Sequence, residues 1–195
     1  NLILLAAIIV LASVLASLNS NFLLPTNLIT IGTAVTISGL LAVVQTSVMI
    51  MGGIDLTVGS VAGLASVVSA MVFTATNSYL GILTAIGVGA LCGFVNAVVI
   101  VAGRVPPMIA TLAGLTAFKG VAQLISEGRA QGYTGADPVF RALARGSLLG
   151  IPTLVWVLIL TALAMHVVLQ FTKVGRNIYA VGGNDKAARL SGINI

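Results

Sequence analysis

Six stretches of the chain are almost wholly apolar: Leu2–Leu18, Leu28–Met51, Val61–Thr76, Leu80–Val101, Pro107–Ile125 and Ile151–Phe171. Each approaches the roughly 20 residues that a helix needs to cross the hydrocarbon of a bilayer. Strands of a membrane β-barrel would instead alternate apolar and polar positions over about ten residues. These runs are longer and rich in Ala, Leu and Gly, so the pattern predicts helices. The third run is short and gains a first turn if Thr57–Ser60 belong to it. The fold class expected is therefore all-α, a polytopic transmembrane helical bundle with about six spans. The second and third runs are separated by "MGGIDLTVGS" (51–60), where Asp55 is the first charged residue in the chain. Gly52 and Gly53 are expected to break the second helix. Asp55 is then expected to cap the next helix, accepting amides around Thr57 or Val58, where its charge suits the positive helix end. The alternative is a discontinuous helix near a pathway through the membrane, with Asp55 bonding hydroxyls of a solute or a neighbouring Lys or Arg.

Composition agrees with the pattern. The chain is 58% hydrophobic and 7% charged, whereas soluble domains carry about 25% charged residues. Lys and Arg set the orientation. The tail carries Lys173, Arg176, Lys186 and Arg189, and the loop after the fourth run holds Arg104. With six crossings these segments share one side, the cytoplasmic one, and the loop 126–150 with Arg129, Arg141 and Arg145 lies outside. The net charge of +5 then reflects topology and contact with lipid headgroups, and no clustered basic surface with aromatic platforms points to nucleic acid. The first run has a second reading as a signal peptide, with "VLA" at 14–16 as a cleavage site, but no basic segment precedes it. Cys92 stands alone and forms no intrachain disulfide.

Small residues recur every four positions in the fourth run (Gly81, Ala85, Gly89, Gly93, Ala97) and in the third (Ala62, Ser66, Ala70), on one face of each helix. Such faces let backbones approach closely, so helix packing is expected there; the alternative is a face that lines a path or slides. Among polar residues in the spans, Gln45 and Asn96 are expected to bond between helices, with Lys119 reaching for the interface; all three are also candidate pathway residues. One His and one distant Cys make no metal site. No phosphate-binding loop of the G-x-x-x-x-G-K-[ST] kind is present, so this chain hydrolyses no ATP by that route. A pairing of "TISG" (36–39) with His166 as a membrane protease needs no more than chance. No catalytic residue is assigned, and no cofactor is expected.

The tail "GRNIYAVGGNDKAARLSGINI" (175–195) is polar and rich in small residues. Asn184 suits an N-cap, Asp185 the first turn and Gly192 the C′ position, giving a short helix of about two turns over Asp185–Ser191. Ala187 and Ala188 are poor membrane anchors, so docking into a groove on another protein is favoured over lying on the membrane.

Three stretches carry a family resemblance: "GGIDLTVGSV" (52–61), "VPPMIATLAGLTAFKGVAQLISEGR" (105–129) and "GRNIYAVGGNDKAARLSGI" (175–193). The chain resembles the membrane subunits of bacterial ABC importers for sugars, of the ribose/xylose/galactose type that depend on a binding protein. The resemblance implies a permease in the bacterial inner membrane, receiving a sugar, expected to be a monosaccharide, from a periplasmic binding protein. It implies a separate cytoplasmic ATPase as the user of ATP and a second permease subunit, identical or paralogous. It implies that 1–195 is one permease domain corresponding to the first two-thirds of a longer subunit, with 172–195 as a cytoplasmic coupling segment. The coupling helix would comprise Asn184, Asp185, Lys186, Ala187, Ala188, Arg189, Leu190, Ser191 and Gly192. The same resemblance makes Gly52, Gly53 and Asp55 part of the family pattern without saying what Asp55 touches. Pro106, Pro107 and Lys119 belong to the pattern too, and Pro107 suits a first helical position. A proton- or cation-coupled secondary transporter using Asp55 is the rival reading, and it has no need of a docking helix. A purely structural membrane subunit is a third.

Overall fold

The computed structural model describes residues 2–133 and 137–193. Nine helices are present among them: α1 (Leu2–Leu18), α2 (Pro25–Ile50), α3 (Val58–Ala75), α4 (Ser78–Val101), α5 (Pro107–Ile125), α6 (Pro138–Arg145), α7 (Thr153–Phe171), α8 (Lys173–Gly183) and α9 (Asp185–Leu190). A two-residue hairpin, β1 (Ser147–Leu148) with β2 (Ile151–Pro152), precedes α7. Five helices, α2, α3, α4, α5 and α7, are long and apolar enough to cross a membrane, while the equally apolar α1 has 17 residues. The chain is thus the all-α polytopic bundle its apolar runs predict, with boundaries shifted by a few residues. Pro25 opens α2 earlier than expected, as proline does at a first helical position. Ile151 lies in the hairpin rather than in the last span. Leucine, isoleucine and valine cover the outward faces, as in Leu83, Ile86 and Leu91 of α4; lipid, being as apolar as these side chains, makes no demand to bury them.

The spans form two packed groups. In one, α3 lies against α4 and α5; in the other, α2 lies against α7, and α7 carries α8, which carries α9. Contact between α2 and α3 is slight. The second group closes where Gly39 meets Leu158, whose Cδ2 would stand 3.1 Å from a Cβ added there, and where Thr36 is fully buried with its hydroxyl donating to the Gly32 carbonyl. "TISG" is therefore helix packing, and His166 is exposed on α7.

Loops at one end hold the bundle through an aromatic cluster. The Phe73, Tyr133 and Phe140 rings stand 5.0–5.5 Å apart in all three pairs. Asp137 caps α6 by accepting the Val139 and Phe140 amides. The Ser78 hydroxyl is buried, makes no full hydrogen bond among the described residues and lies beside Asp137. It is the first cause holding the Asp137 carboxyl below its ordinary value, the Phe140 amide being the next. At the opposite end lie the α2 and α4 C-termini, Arg104, α8 and α9, which agrees with the cytoplasmic side that the basic residues assign.

The four-residue glycine stripe of α4 serves two ends. At Gly81 an added Cβ would fall 2.7 Å from the Phe73 ring, but at Gly89 and Gly93 it would meet no atom within 4 Å. Only the first of these three glycines is a packing contact within this chain. Gly81→Ala should lower the melting temperature of the purified protein, by the equivalent of about 1–3 kcal/mol for overpacking, and Gly89→Ala should leave it unchanged or raise it. Equal effects at both positions would contradict this placement of the stripe.

Candidate functional site

The site forms where the chain leaves α2. Gly52 adopts the left-handed conformation, φ +84°, which only glycine reaches without steric cost. Its amide donates to the Met49 carbonyl and the Gly53 amide to the Val48 carbonyl. This paired termination satisfies the last carbonyls of α2 and turns the chain sharply. Residues 53–57 then belong to no helix or strand. In a membrane bundle such backbone needs partners from the protein itself.

Those partners are side chains. Asp55 Oδ1 accepts the Thr57 amide at 2.7 Å and the Thr57 hydroxyl at 2.6 Å. The Thr57 hydroxyl in turn accepts from Asn96 Nδ2 on α4 at 2.9 Å. The Thr111 hydroxyl on α5 donates to the Ile54 carbonyl at 3.3 Å. Thr57, Asn96 and Thr111 are all buried. Thr57 is itself the N-cap residue of α3, and α3 begins at Val58. Asp55 therefore fixes the residue that starts the helix, through a turn closed on its own side chain, and bonds no amide within the helix among the described residues. Gly114 of α5 completes the junction: an added Cβ would stand 2.8 Å from Thr57 Cγ2 and 2.9 Å from Asn96 Oδ1.

A cavity of about 310 Å³ opens beside this network, between the two packed groups of helices. Gln45, Asp55, Thr57 and Asn96 supply its polar wall, with Val44 of α2 and Gly93 of α4 among the apolar lining. The structure thus brings together Gln45, Asp55 and Asn96, three of the polar residues singled out from the sequence. Lys119 does not line the cavity and is exposed on α5. Gly52 and Gly53 shape the turn that leads into it. Among the described residues no cluster of three His, Cys, Asp or Glu side chains is placed to hold a metal.

The tail forms a second candidate site. Asn184 Oδ1 accepts the Ala187 amide, and Gly192, at φ +81°, ends α9 with its amide on the Arg189 carbonyl and the Ile193 amide on the Ala188 carbonyl. Asp185, Lys186, Ala187, Arg189 and Ser191 are exposed. Ala188 is buried within the chain at 3% exposure, whereas Leu190 is 90% exposed. Of the small residues expected to face a groove on a partner, Ala188 faces inward, and Leu190 is the apolar side chain that α9 presents.

The segment leading to α9, expected to be polar tail, is the helix α8. Its glycines are contacts rather than breaks. A Cβ at Gly175 would collide with the Leu169 backbone of α7, and one at Gly182 with the Ile50 carbonyl at the end of α2. The tail is thereby seated beside the turn that leads to Asp55.

Residues 27–195 match the family described as branched-chain amino acid transport system / permease component. The chain belongs to this family. It is 37% identical over 194 residues to the ribose import permease protein of Escherichia coli, covering 98% of this chain and 60% of that protein. It is 36% identical over 187 residues to the ribose import permease protein of Bacillus subtilis, covering 95% and 58%. It is 35% identical over 176 residues to the L-arabinose ABC transporter permease protein of Azospirillum brasilense, covering 90% and 51%. No solved structure matches. The chain thus spans three-fifths or less of the length of these relatives. It is a multi-pass membrane permease component, and the family is one of transport proteins rather than enzymes.

The sequence alone pointed to the Thr57 amide as a partner of Asp55, which the structure shows, but not to the Thr57 hydroxyl, Thr111 or Gly114 as parts of the junction. The Thr57 hydroxyl could have been found from the spacing Asp-x-Thr, which suits a carboxylate folding back on an amide and hydroxyl two residues on. Gly114 and Thr111 sit far away in sequence and carry no local signal. Thr57→Val removes the hydroxyl at the centre of the network while keeping its shape, leaving the buried Asn96 amide short of a partner. It should destabilise the permease by about 1–2 kcal/mol, read as a lower midpoint of thermal or detergent-induced unfolding. Thr57→Ser should retain most of the stability. Equal stability of Thr57→Val and the unaltered permease would show that the network holds nothing.

Proposed function

We propose that this permease provides the membrane pathway of an ATP-driven importer for a sugar, a monosaccharide such as a pentose. The observation that carries the reading is similarity along nearly the whole chain to permeases named for ribose and L-arabinose import. The sugar arrives from a periplasmic binding protein, and a second permease subunit, identical or paralogous, completes the pathway. ATP is hydrolysed by a separate cytoplasmic subunit. Asn184–Gly192 is the coupling segment, and α9 inserts into a groove of that ATPase. Support comes from its cap at each end, its position at the end rich in Lys and Arg, and the exposed Leu190 flanked by Lys186 and Arg189. Because α9 packs on α8, and α8 on the ends of α2 and α7, a push on α9 is delivered to the turn at Met51–Thr57.

Burying a leucine is worth about 1.5–3 kcal/mol, and 1.4 kcal/mol is a factor of ten in affinity. Leu190→Glu in the full-length subunit should therefore weaken ATPase binding roughly tenfold to hundredfold while leaving membrane insertion intact. Copurification of the ATPase and ATP-driven uptake of ribose and L-arabinose into vesicles are the measurements. Retention of both by the variant would remove α9 from the coupling. Uptake that follows an imposed proton gradient without ATP would favour the reading as a proton- or cation-coupled secondary transporter using Asp55.

A further inference from the structure

We propose that the hollow between the outer end of α2, the end of α6 and the β1–β2 hairpin holds the phosphate of an anionic phospholipid, with Arg145 as its ligand. Leu148 and Leu149, at the tip of the hairpin, enter the lipid beside it. The leaflet is the one at the α6 end of the bundle, the outer leaflet by the distribution of Lys and Arg. The site does not rest on which solute is carried.

Charge gives the first reason. The chain carries four acidic residues, and those at the α6 end are already engaged. Glu127 pairs with Arg129 at 3.7 Å, and Asp137 Oδ1 accepts the Val139 and Phe140 amides. The other two, Asp55 and Asp185, lie toward the opposite end of the bundle. Arg141 and Arg145 stand four residues apart and so share one face of α6. Both are exposed, and neither has a carboxylate partner among the described residues. A phospholipid phosphate supplies the anion, and the planar guanidinium fork matches it.

The hollow gives the second. Its volume is about 440 Å³, with Arg145, Ser147 and Thr33 as polar groups and Ile29, Ala144 and Pro152 as an apolar wall. A polar side beside an apolar one suits a molecule with a charged head and a hydrocarbon tail. Its level suits a lipid too. Helix α2 has 26 residues, about 39 Å at 1.5 Å per residue, and so exceeds the roughly 30 Å of hydrocarbon. Ile29 and Thr33 lie toward its outer end, where the helix emerges among the headgroups. Trp156, the single tryptophan of the chain, marks the same level on α7, since tryptophan is enriched at membrane interfaces. Its Nε1 donates to the Leu148 carbonyl at 3.1 Å and ties the hairpin there.

The hairpin gives the third. Its two-residue turn holds Leu149 at φ +56° and Gly150 at φ +77°, the conformation for which Asn-Gly is a preferred pair. Leucine is a costly choice at positive φ, and this one is 85% exposed, with Leu148 at 60%. An apolar phase around the tip explains it, and the bilayer that α2 and α7 cross is the one at hand. Gly146 lets α6 bend into β1 beside the hollow, because a Cβ there would collide with the Ala142 carbonyl.

The experiment uses the full-length subunit purified in detergent, with phosphatidylglycerol, phosphatidylcholine and inorganic phosphate as probes. Native mass spectrometry reads lipid retention, and the shift in melting temperature reads stabilisation. Phosphatidylglycerol should bind more tightly than phosphatidylcholine, and a photoactivatable phosphatidylglycerol should label residues 141–151. Arg145→Gln should weaken phosphatidylglycerol binding roughly tenfold or more, the size of a lost charge-assisted hydrogen bond. Arg145→Lys keeps the charge and should keep part of the preference. Leu149→Asn should weaken both lipids without lowering the melting temperature of the lipid-free protein, because Asn suits the turn. A leucine with a merely structural role would behave in the opposite way. Arg129→Gln, whose partner is Glu127, should bind lipid as the unaltered permease does. Unchanged phosphatidylglycerol binding in both Arg145→Gln and Leu149→Asn would overturn the site. Stabilisation by inorganic phosphate equal to that by phosphatidylglycerol would make it a simple anion site and overturn the lipid assignment. Labelling confined to other segments would show the hairpin covered by the rest of the subunit or by a protein partner, and would overturn it equally.

Discussion

A polar backbone inside a bilayer has to find every partner within the protein, and in this permease that constraint falls hardest on five residues. Between the end of α2 and the start of α3 the chain lies outside any helix or strand from Gly53 to Thr57. Asp55, Asn96 and Thr111 supply what regular structure would have supplied. The consequences spread outward. Because Asn96 must reach Thr57, α4 lies against the base of α3. Because Thr111 must reach Ile54, the first turns of α5 come in beside the same segment, and only a glycine at position 114 leaves room for them.

The same segment explains why the bundle comes in two parts. The side-chain bonds of Asp55 and Thr57 all run to α3 and α4 or stay within the turn, and none among the described residues runs back to α2. On the far side, α2 is secured by α7 and by the glycine contact with α8. The turn at Gly52 therefore joins two separately packed groups, and polar side chains line the seam between them. In a membrane, where apolar burial gives no drive for helices to associate, a seam without close-packed small residues is a place of weak cohesion. The helix α9 belongs to one group, while the network around Thr57 belongs to the other.

Much of this was legible in the sequence, for reasons that can be named. Spans are legible because lipid imposes a length and a composition on each one separately, so α2 to α5 and α7 announce themselves. The break at Gly52 and the caps at Asn184 and Gly192 are equally local, since each needs only a residue type at a fixed offset from a helix end. The bond of Asn96 to a neighbouring helix was legible too, but Gln45, expected to make one, leaves its Oε1 without a partner among the described residues, and most of what is set by approach between distant segments escaped. Gly175 and Gly182 read only as part of a tail rich in small residues, yet they are there because Leu169 and Ile50 come too close for a side chain. In the loop 126–150, α6 depends on an aromatic cluster whose third ring, Phe73, lies on α3. Ala188 was expected to face a partner and instead faces its own chain, because the direction of a six-residue helix is set by what it leans on. The α4 stripe looked uniform in sequence, but Phe73 occupies only the Gly81 end of it.

The central claim is that Asp55 and Asn96 jointly hold Thr57 at the mouth of a broken helix, and the structure of the full-length subunit in a lipid nanodisc tests it most directly. The distance to read is Asn96 Nδ2 to Thr57 Oγ1. The account predicts about 2.9 Å, with α2 ended at Gly52 and the Asp55 carboxylate folded onto Thr57. A helix continuous through 51–57, with that distance beyond the roughly 3.5 Å limit of a direct polar contact, would contradict it.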